Sequence, residues 1–135
     1  YEISACLVGS EMCIRDRTQL GVSADSIVMN VGSAAVGYGY EYVVSTLDRI
    51  KAAALSQDDK MLQMPIITPI ASETWNVKEA MATEEESPEW GNQEVRGVSM
   101  EIQTAAASLA SGSDAVILKH PQSVATISKM IQELM

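Results

Sequence analysis

A chain of 135 residues with 47% hydrophobic side chains can form one modest core, which places it among globular domains rather than disordered or fibrous proteins. Its net charge of −9 argues against binding to nucleic acid or to an anionic membrane, because both need a basic surface. No apolar run approaches the roughly 20 residues of a transmembrane helix, and the N-terminus lacks the residue order of a signal peptide. The composition therefore predicts a cytoplasmic protein with no nucleic-acid or membrane partner.

The N-terminal segment differs from the rest of the chain. Residues 6–17 read CLVGSEMCIRDR and resemble the translated adaptor sequence that recurs at the ends of environmental sequence assemblies. Nothing after them continues their pattern, so residues 1–17 are predicted to be an artefact outside the fold. The alternative is an ordinary short apolar strand followed by a charged turn.

From residue 18 onward, short apolar segments rich in β-branched residues alternate with longer segments of helical period. The predicted strands are residues 26–31, 64–68 and 114–119. Each is followed by a predicted helix, which is the order of βαβ units around a parallel sheet. Strands of this composition are expected to be buried on both faces.

Each predicted helix carries apolar residues at intervals of three and four, so that one face should pack on the sheet. The first stripe is Tyr40, Val43, Val44, Leu47, Ile50 and Ala54. The second is Val95, Val98, Ile102, Ala105, Ala106 and Leu109, with Gly112 where a helix C-cap is expected. The third is Val124, Ile127, Ile131 and Leu134.

A polar segment at residues 71–89 separates the second strand from its helix. It is too long for a plain strand-to-helix turn and is predicted to be a long loop with a short helix near residues 75–81. Its acidic run at residues 84–86 is expected to be a solvated face. Trp75 and Trp90 would suit an interface or the face of a flat cofactor, or they pack under the loop as core residues.

The predicted fold is α/β, with about three βα units. Three units cannot close an eight-stranded barrel, and a complete one usually needs about 250 residues. Residues 18–135 are therefore predicted to be the C-terminal part of a (β/α)8 TIM-barrel domain, with any site at the edge where the strands end.

Several short blocks resemble a known family. They are GYGYEY at residues 37–42, DRIKAAAL at 48–55, MLQMPII at 61–67, PEWG at 88–91 and Lys119-His120-Pro121. The likeness also includes Glu73, Trp75, Lys78, Glu79, Ala80, Glu94, Arg96 and Gly97. Their order and spacing are similar to the small subunit of the corrinoid iron-sulfur protein, which is the delta subunit of acetyl-CoA decarbonylase/synthase. The likeness covers nearly everything after Arg17.

The resemblance implies a subunit that is not itself catalytic. It would support methyl transfer between a methyl-tetrahydropterin or methyl-tetrahydrofolate and acetyl-CoA synthase in the Wood-Ljungdahl system of carbon fixation. The implied partners are the large subunit, which would hold the corrinoid and an iron-sulfur cluster, and the acetyl-CoA synthase and methyltransferase components. Cys6, Cys13 and His120 are too few for an iron-sulfur or metal site in this chain, which agrees with that division of labour.

Five residues near the predicted strand ends are candidates to face the corrinoid. They are Asn30, Gly32, Gly37, Gly39 and His120. Asn30 stands where the family commonly has Asp, so it could recognise a neutral polar group but could not act as a general base. The glycines would let backbone approach an anion or a cofactor, or they merely allow a tight turn and close helix packing.

Two enzyme alternatives remain open. One is a pterin-binding methyltransferase barrel. The other is a Schiff-base lyase, which would require a buried Lys119, whereas a solvated or ion-paired lysine is the expectation at a strand end. His120 precedes Pro121 at a predicted helix start, so capping is expected of it rather than catalysis.

Deleting residues 1–17 should leave the solubility and melting temperature of the protein unchanged, because their pattern joins neither the strand series nor the helix series. Thermal unfolding of the two forms checks this. A large loss of stability on deletion would contradict the adaptor interpretation.

Overall fold

The computed structural model describes residues 19–135, in which helices alternate with short parallel strands. The helices are α1 (Tyr40–Ser56), α2 (Ile70–Thr74), α3 (Lys78–Met81), α4 (Gln93–Ala110) and α5 (Pro121–Leu134), and the strands are β1 (Ile67–Thr68) and β2 (Ala115–Val116). Short 3-10 helices lie at Ala24–Ser26, Lys60–Leu62 and Pro88–Trp90. The fold is α/β, as the pattern predicts. The predicted artefact at residues 1–17 lies outside the described residues.

The three predicted strand segments lie side by side in chain order. Strands β1 and β2 pair in parallel, with Ile67 opposite Ala115. Met29 adds a parallel bridge to Ile66, and its N–H donates to the carbonyl of Pro65 at 2.8 Å. This arrangement agrees with βαβ units in which each strand neighbours the next.

The strands are shorter than predicted, for reasons found at their ends. Residues 24–26 form a 3-10 turn before the first segment, and the side chain of Asn30 accepts a hydrogen bond from the N–H of Gly32 just after it. After β2, the N–H groups of Lys119 and His120 bond to a side chain instead of a neighbouring strand. The ladder is thus cut short where backbone groups find other partners.

Only one face of the sheet is covered by the described residues. Ile27, Met29 and Ile66 are buried against α1, whereas Val28 is 52% exposed and Ile117 48% exposed. The prediction that the strands are buried on both faces is therefore wrong for residues 19–135. The apolar composition of the strands indicates that both faces of the sheet need to be buried. It does not show whether residues 19–135 contain the elements that would bury the second face.

Helix α1 follows its predicted stripe. Its buried residues are Val43, Leu47, Ile50 and Ala54, and they form a core with the first strand segment and with Leu62 and Met64. Leu47 and Ile50 are fully buried. Because every residue of this stripe is apolar, its helical period predicted the buried face of α1.

Helix α4 follows its predicted stripe in part. Val98 and Ala105 are buried, and Ile102, Ala106 and Leu109 pack partly buried against the core, whereas Val95 is 63% exposed. The buried residues of α4 are Gly97, Val98, Glu101, Thr104, Ala105 and Ser108. Half of them are polar, so apolar periodicity alone does not define the buried face. Gly112, with φ of +110°, follows the C-cap residue Ser111 and fits the predicted helix end.

Helix α5 is present, but much of its predicted stripe is uncovered. Ile127 is buried against Ile70 and Ala105, whereas Leu134 is 79% exposed. Val124 and Ile131 line an open apolar groove beside β2. None of the helices in residues 19–135 has the length and apolarity needed to cross a membrane.

The connection at residues 71–89 is more ordered than a long loop. It contains most of α2, all of α3 and the start of the 3-10 helix at Pro88–Trp90. The short helix predicted near residues 75–81 corresponds to α3.

Candidate functional site

The connections that follow the strands meet at one edge of the sheet, where parallel strands end. The hydroxyl of Ser33 donates to the carbonyl of Pro69 at 3.0 Å, which joins the connection after the first strand segment to the one after β1. Tyr38 adds a second link, since its hydroxyl donates to the carboxylate of Glu79 in α3. This edge is where α/β proteins commonly place their binding groups.

The Tyr38–Glu79 link has an electrostatic signature. The hydrogen bond to Glu79 raises the pKa of Tyr38, and the same bond lowers the pKa of Glu79. Because a depressed carboxyl pKa means stabilisation at higher pH, the link holds at neutral pH and weakens as acid protonates Glu79. Both side chains are reached by solvent, so the effect on stability is small.

A set of buried polar side chains on α4, here called the polar stripe, consists of Glu101, Thr104 and Ser108. Their spacing of three and four places them on one side of the helix, and all three are fully buried. The hydroxyl of Thr104 accepts the N–H of Val36 at 3.1 Å, and the hydroxyl of Ser108 accepts from Tyr40 at 3.3 Å. The polar stripe therefore fixes the connection at residues 30–39 and the start of α1.

Glu101 fixes the connection that follows β2. One carboxylate oxygen accepts the N–H of Lys119 at 2.6 Å, and the other accepts the N–H of His120 at 3.2 Å. Two acceptors at once are what an ionised carboxylate supplies, and each such charge-assisted bond contributes about 1.5–3 kcal/mol. The carboxylate also lies beside the N-terminus of α5, where the helix dipole favours negative charge.

His120 caps α5. Its Nδ1 accepts the N–H of Gln122 at 3.2 Å, and its Nε2 lies 3.0 Å from a carboxylate oxygen of Glu94. Because Nδ1 is an acceptor, the neutral ring carries its proton on Nε2 and donates it to Glu94. The structure thus shows the capping role predicted from Pro121.

Trp75 is the centre of a cluster with Gly97, Lys119 and His120. Its ring stacks on His120 with a centroid distance of 5.9 Å and an interplanar angle of 25°, and Nζ of Lys119 lies 5.3 Å from its ring centroid. A Cβ at position 97 would lie only 2.5 Å from Cζ3 of Trp75. Gly97 therefore lets the indole approach the backbone of α4.

Arg96 and Gln93 attach α3 to α4. The two terminal nitrogens of Arg96 donate to the carbonyls of Glu79 and Ala82 at 2.7 and 2.8 Å. The side chain of Gln93 donates to the carbonyl of Met81 at 2.9 Å. These bonds satisfy carbonyls at the end of a short helix. The guanidinium also lies 5.6 Å from the ring centroid of Trp90, so this tryptophan is part of the same attachment.

The predicted site residues fall into two places. Asn30, Gly32, Gly37 and Gly39 belong to the first connection, and the three glycines have φ of +80°, +96° and +85°. A Cβ at Gly32 or Gly37 would meet nothing within 4 Å, so backbone conformation rather than crowding calls for glycine there. His120 follows β2, and α4 joins the two places through Thr104 and Glu101. Contact of these residues with a corrinoid stays a prediction.

Lys119 is exposed and lies against Trp75. The lyase alternative requires a buried lysine whose amine is desolvated, and the structure places this one at the surface. Within residues 19–135, no three His, Cys, Asp or Glu side chains come together as a metal site. Cys6 and Cys13 lie outside the described residues, so the absence of a cluster from this chain stays a prediction.

Comparison with known proteins decides the family. The family model described as CO dehydrogenase/acetyl-CoA synthase delta subunit matches residues 11–131. The chain belongs to this family. The matched range begins within residues 1–17, whose assignment as an artefact stays a prediction.

Similar proteins carry the same delta-subunit name. The acetyl-CoA decarbonylase/synthase complex subunit delta 2 of Methanosarcina acetivorans is 35% identical over 121 residues, which are 86% of this chain and 27% of that protein. The complex subunit delta of Archaeoglobus fulgidus is 34% identical over 113 residues, or 82% of this chain and 25% of that protein. The chain spans about a quarter of the length of the curated relatives it matches.

Family membership confirms the resemblance seen in the sequence, which includes Trp75, Glu94 and Gly97 at this edge. Neither the resemblance nor apolar periodicity indicates the polar stripe. The available signal was the spacing of Gly97, Glu101, Thr104 and Ser108, small or polar residues that fall on one side of α4.

Gly97→Ala in the complete delta subunit should destabilise the fold by about 1–3 kcal/mol, because the added methyl meets the indole of Trp75. With Trp75→Leu, the same change should become stabilising by up to about 1 kcal/mol, since alanine is the better helix former. Denaturant unfolding of the two single variants and the double variant measures this coupling. Equal effects of Gly97→Ala in both backgrounds would contradict the contact.

Proposed function

We propose that this chain forms part of a (β/α)8 barrel in a delta subunit of acetyl-CoA decarbonylase/synthase. Three neighbouring parallel segments with helices on one face support this, as does the apolar open face at Val28 and Ile117. In a closed barrel, that face would point inward and be covered by side chains of the remaining strands. Residues 18–135 would then be a C-terminal portion of the barrel domain.

The proposed role is to support methyl transfer between a methyl-tetrahydropterin or methyl-tetrahydrofolate and acetyl-CoA synthase, without catalysing it alone. The single observation that carries this is how the polar groups of the edge are used. Glu101 binds backbone, His120 caps a helix and bonds to Glu94, and Asn30 closes a turn. Because these polar groups already make structural hydrogen bonds, they are better suited to fixing a contact surface than to acid–base catalysis.

The proposed partner at this edge is the large subunit that carries the corrinoid, with acetyl-CoA synthase and methyltransferase components in the same cytoplasmic assembly. When held there, the corrinoid supplies the metal that accepts and donates the methyl group. Gly32 and Gly37 leave open space where a side chain would stand, so backbone could approach a flat ring closely. Together with Asn30, Gly39 and His120, they would face the corrinoid and exclude water from it.

Gly37→Trp should lower methyl transfer by the assembled complex about tenfold or more, because the bulky side chain enters the space proposed for the partner. Gly37→Ala is the matched control, since both variants bear the strain of positive φ, roughly 1–2 kcal/mol. Their melting temperatures should fall alike, while only Gly37→Trp impairs transfer. Methyl-transfer assays of the reconstituted complex and thermal melts of the subunit measure the two effects.

Two outcomes would count against the proposal. Equal losses of transfer in both variants would reduce Gly37 to a role in folding. Methyl transfer from a methyl-pterin to free cobalamin by the complete delta subunit alone would replace the partner role with that of a pterin-binding methyltransferase.

A further inference from the structure

Glu101 is an unexpected residue for a buried helix face. It is fully buried, and the bonds that its carboxylate makes within the described residues are to two backbone N–H groups rather than to a cationic side chain. A buried carboxylate is costly unless it is well bonded, and an apolar residue of similar length could fill the same space. What an apolar residue could not supply is a pair of acceptors held side by side.

The two amides bound by Glu101 belong to consecutive residues. In an extended strand, consecutive N–H groups point to opposite sides, so both can reach one carboxylate only where the chain turns out of the strand. Glu101 therefore sets the point at which the chain leaves the sheet and His120 begins α5.

The position of the His120 ring in turn affects that of Trp75. The imidazole is held by the N–H of Gln122, by Glu94 and by its stack on Trp75. The indole in turn packs on Gly97, which lies four residues before Glu101 on the same side of α4. One side of α4 thus places both members of the ring pair.

We propose that Glu101 is a positioning residue that sets the Trp75–His120 ring pair at the edge of the sheet. This rests on the proposed function, in which that edge is the contact surface for the corrinoid-carrying partner. Glu101→Gln should displace the pair, because the amide offers one acceptor oxygen and turns an NH2 group toward the second backbone N–H.

Trp75 fluorescence reports the ring pair, because the emission of an indole depends on the groups packed against its ring. In the complete delta subunit at neutral pH, the spectrum of each protein minus that of its Trp75→Phe counterpart isolates this emission. Glu101→Gln should change the isolated spectrum in the same direction as His120→Asn, which removes the imidazole, keeps a good N-cap residue and defines complete loss of the pair.

Glu94→Gln is the matched control. It removes the exposed charge beside His120, keeps an acceptor oxygen for Nε2 and leaves the bonds of Glu101, so the isolated spectrum should stay close to that of the wild type. Where Glu101→Gln does not fold, Glu101→Asp carries the same test, because its shorter side chain cannot reach both amides. A wild-type spectrum in a folded Glu101 variant would overturn the positioning role.

Methyl transfer by the reconstituted complex separates this inference from the proposed function. Displacing the ring pair should lower the transfer rate by about tenfold, as small misplacements at a reacting assembly do. An altered Trp75 spectrum together with slower transfer supports both proposals. An altered Trp75 spectrum with normal transfer leaves Glu101 as the positioning residue, and overturns the proposed contact at this edge.

Discussion

The arrangement of this protein depends on one constraint, which is that the buried side of α4 carries hydrogen-bonding groups that must find partners inside the fold. Glu101, Thr104 and Ser108 are fully buried, and they take partners from the two connections at the end of the sheet and from Tyr40 at the start of α1. A buried polar group left without a partner costs about 1–3 kcal/mol, and more when it is charged. The connections therefore cannot move far from α4 without loss of stability.

This constraint gives the edge of the sheet an unusual combination of openness and order. Gly37 faces open space, yet the neighbouring N–H of Val36 is held by Thr104. His120 is partly exposed, yet its backbone and both ring nitrogens are bonded. A surface held in this way can meet a partner without first being ordered, which lowers the cost of association. That property fits the proposed role as a supporting subunit of a larger assembly.

Sequence alone was most informative where packing is purely apolar, and least informative where polar groups are buried. The stripe of α1 from Val43 to Ala54 could be predicted because every member is apolar. The polar part of the buried face of α4 could not be predicted, because glutamate is ordinarily a surface residue and only the partners of Glu101 explain its position. The strands were located correctly but drawn too long, since a sequence does not show that side chains will take the amides of Lys119 and His120.

The role of each aromatic residue also depended on neighbours that the sequence does not reveal. From the sequence, Trp75 is equally compatible with an interface and with packing. The absence of a side chain at Gly97 lets its indole pack on α4, and the residue stays half-buried. By contrast, capping by His120 followed from Pro121 and needed no distant contact.

The most direct test of the account is the hydrogen-exchange rate of the Val36 amide in the complete delta subunit, compared between the wild type and Thr104→Val. If the polar stripe holds the connections, exchange at Val36 should accelerate on the order of tenfold while the amides of Lys119 and His120 stay protected. Equal exchange at Val36 in both proteins would contradict it.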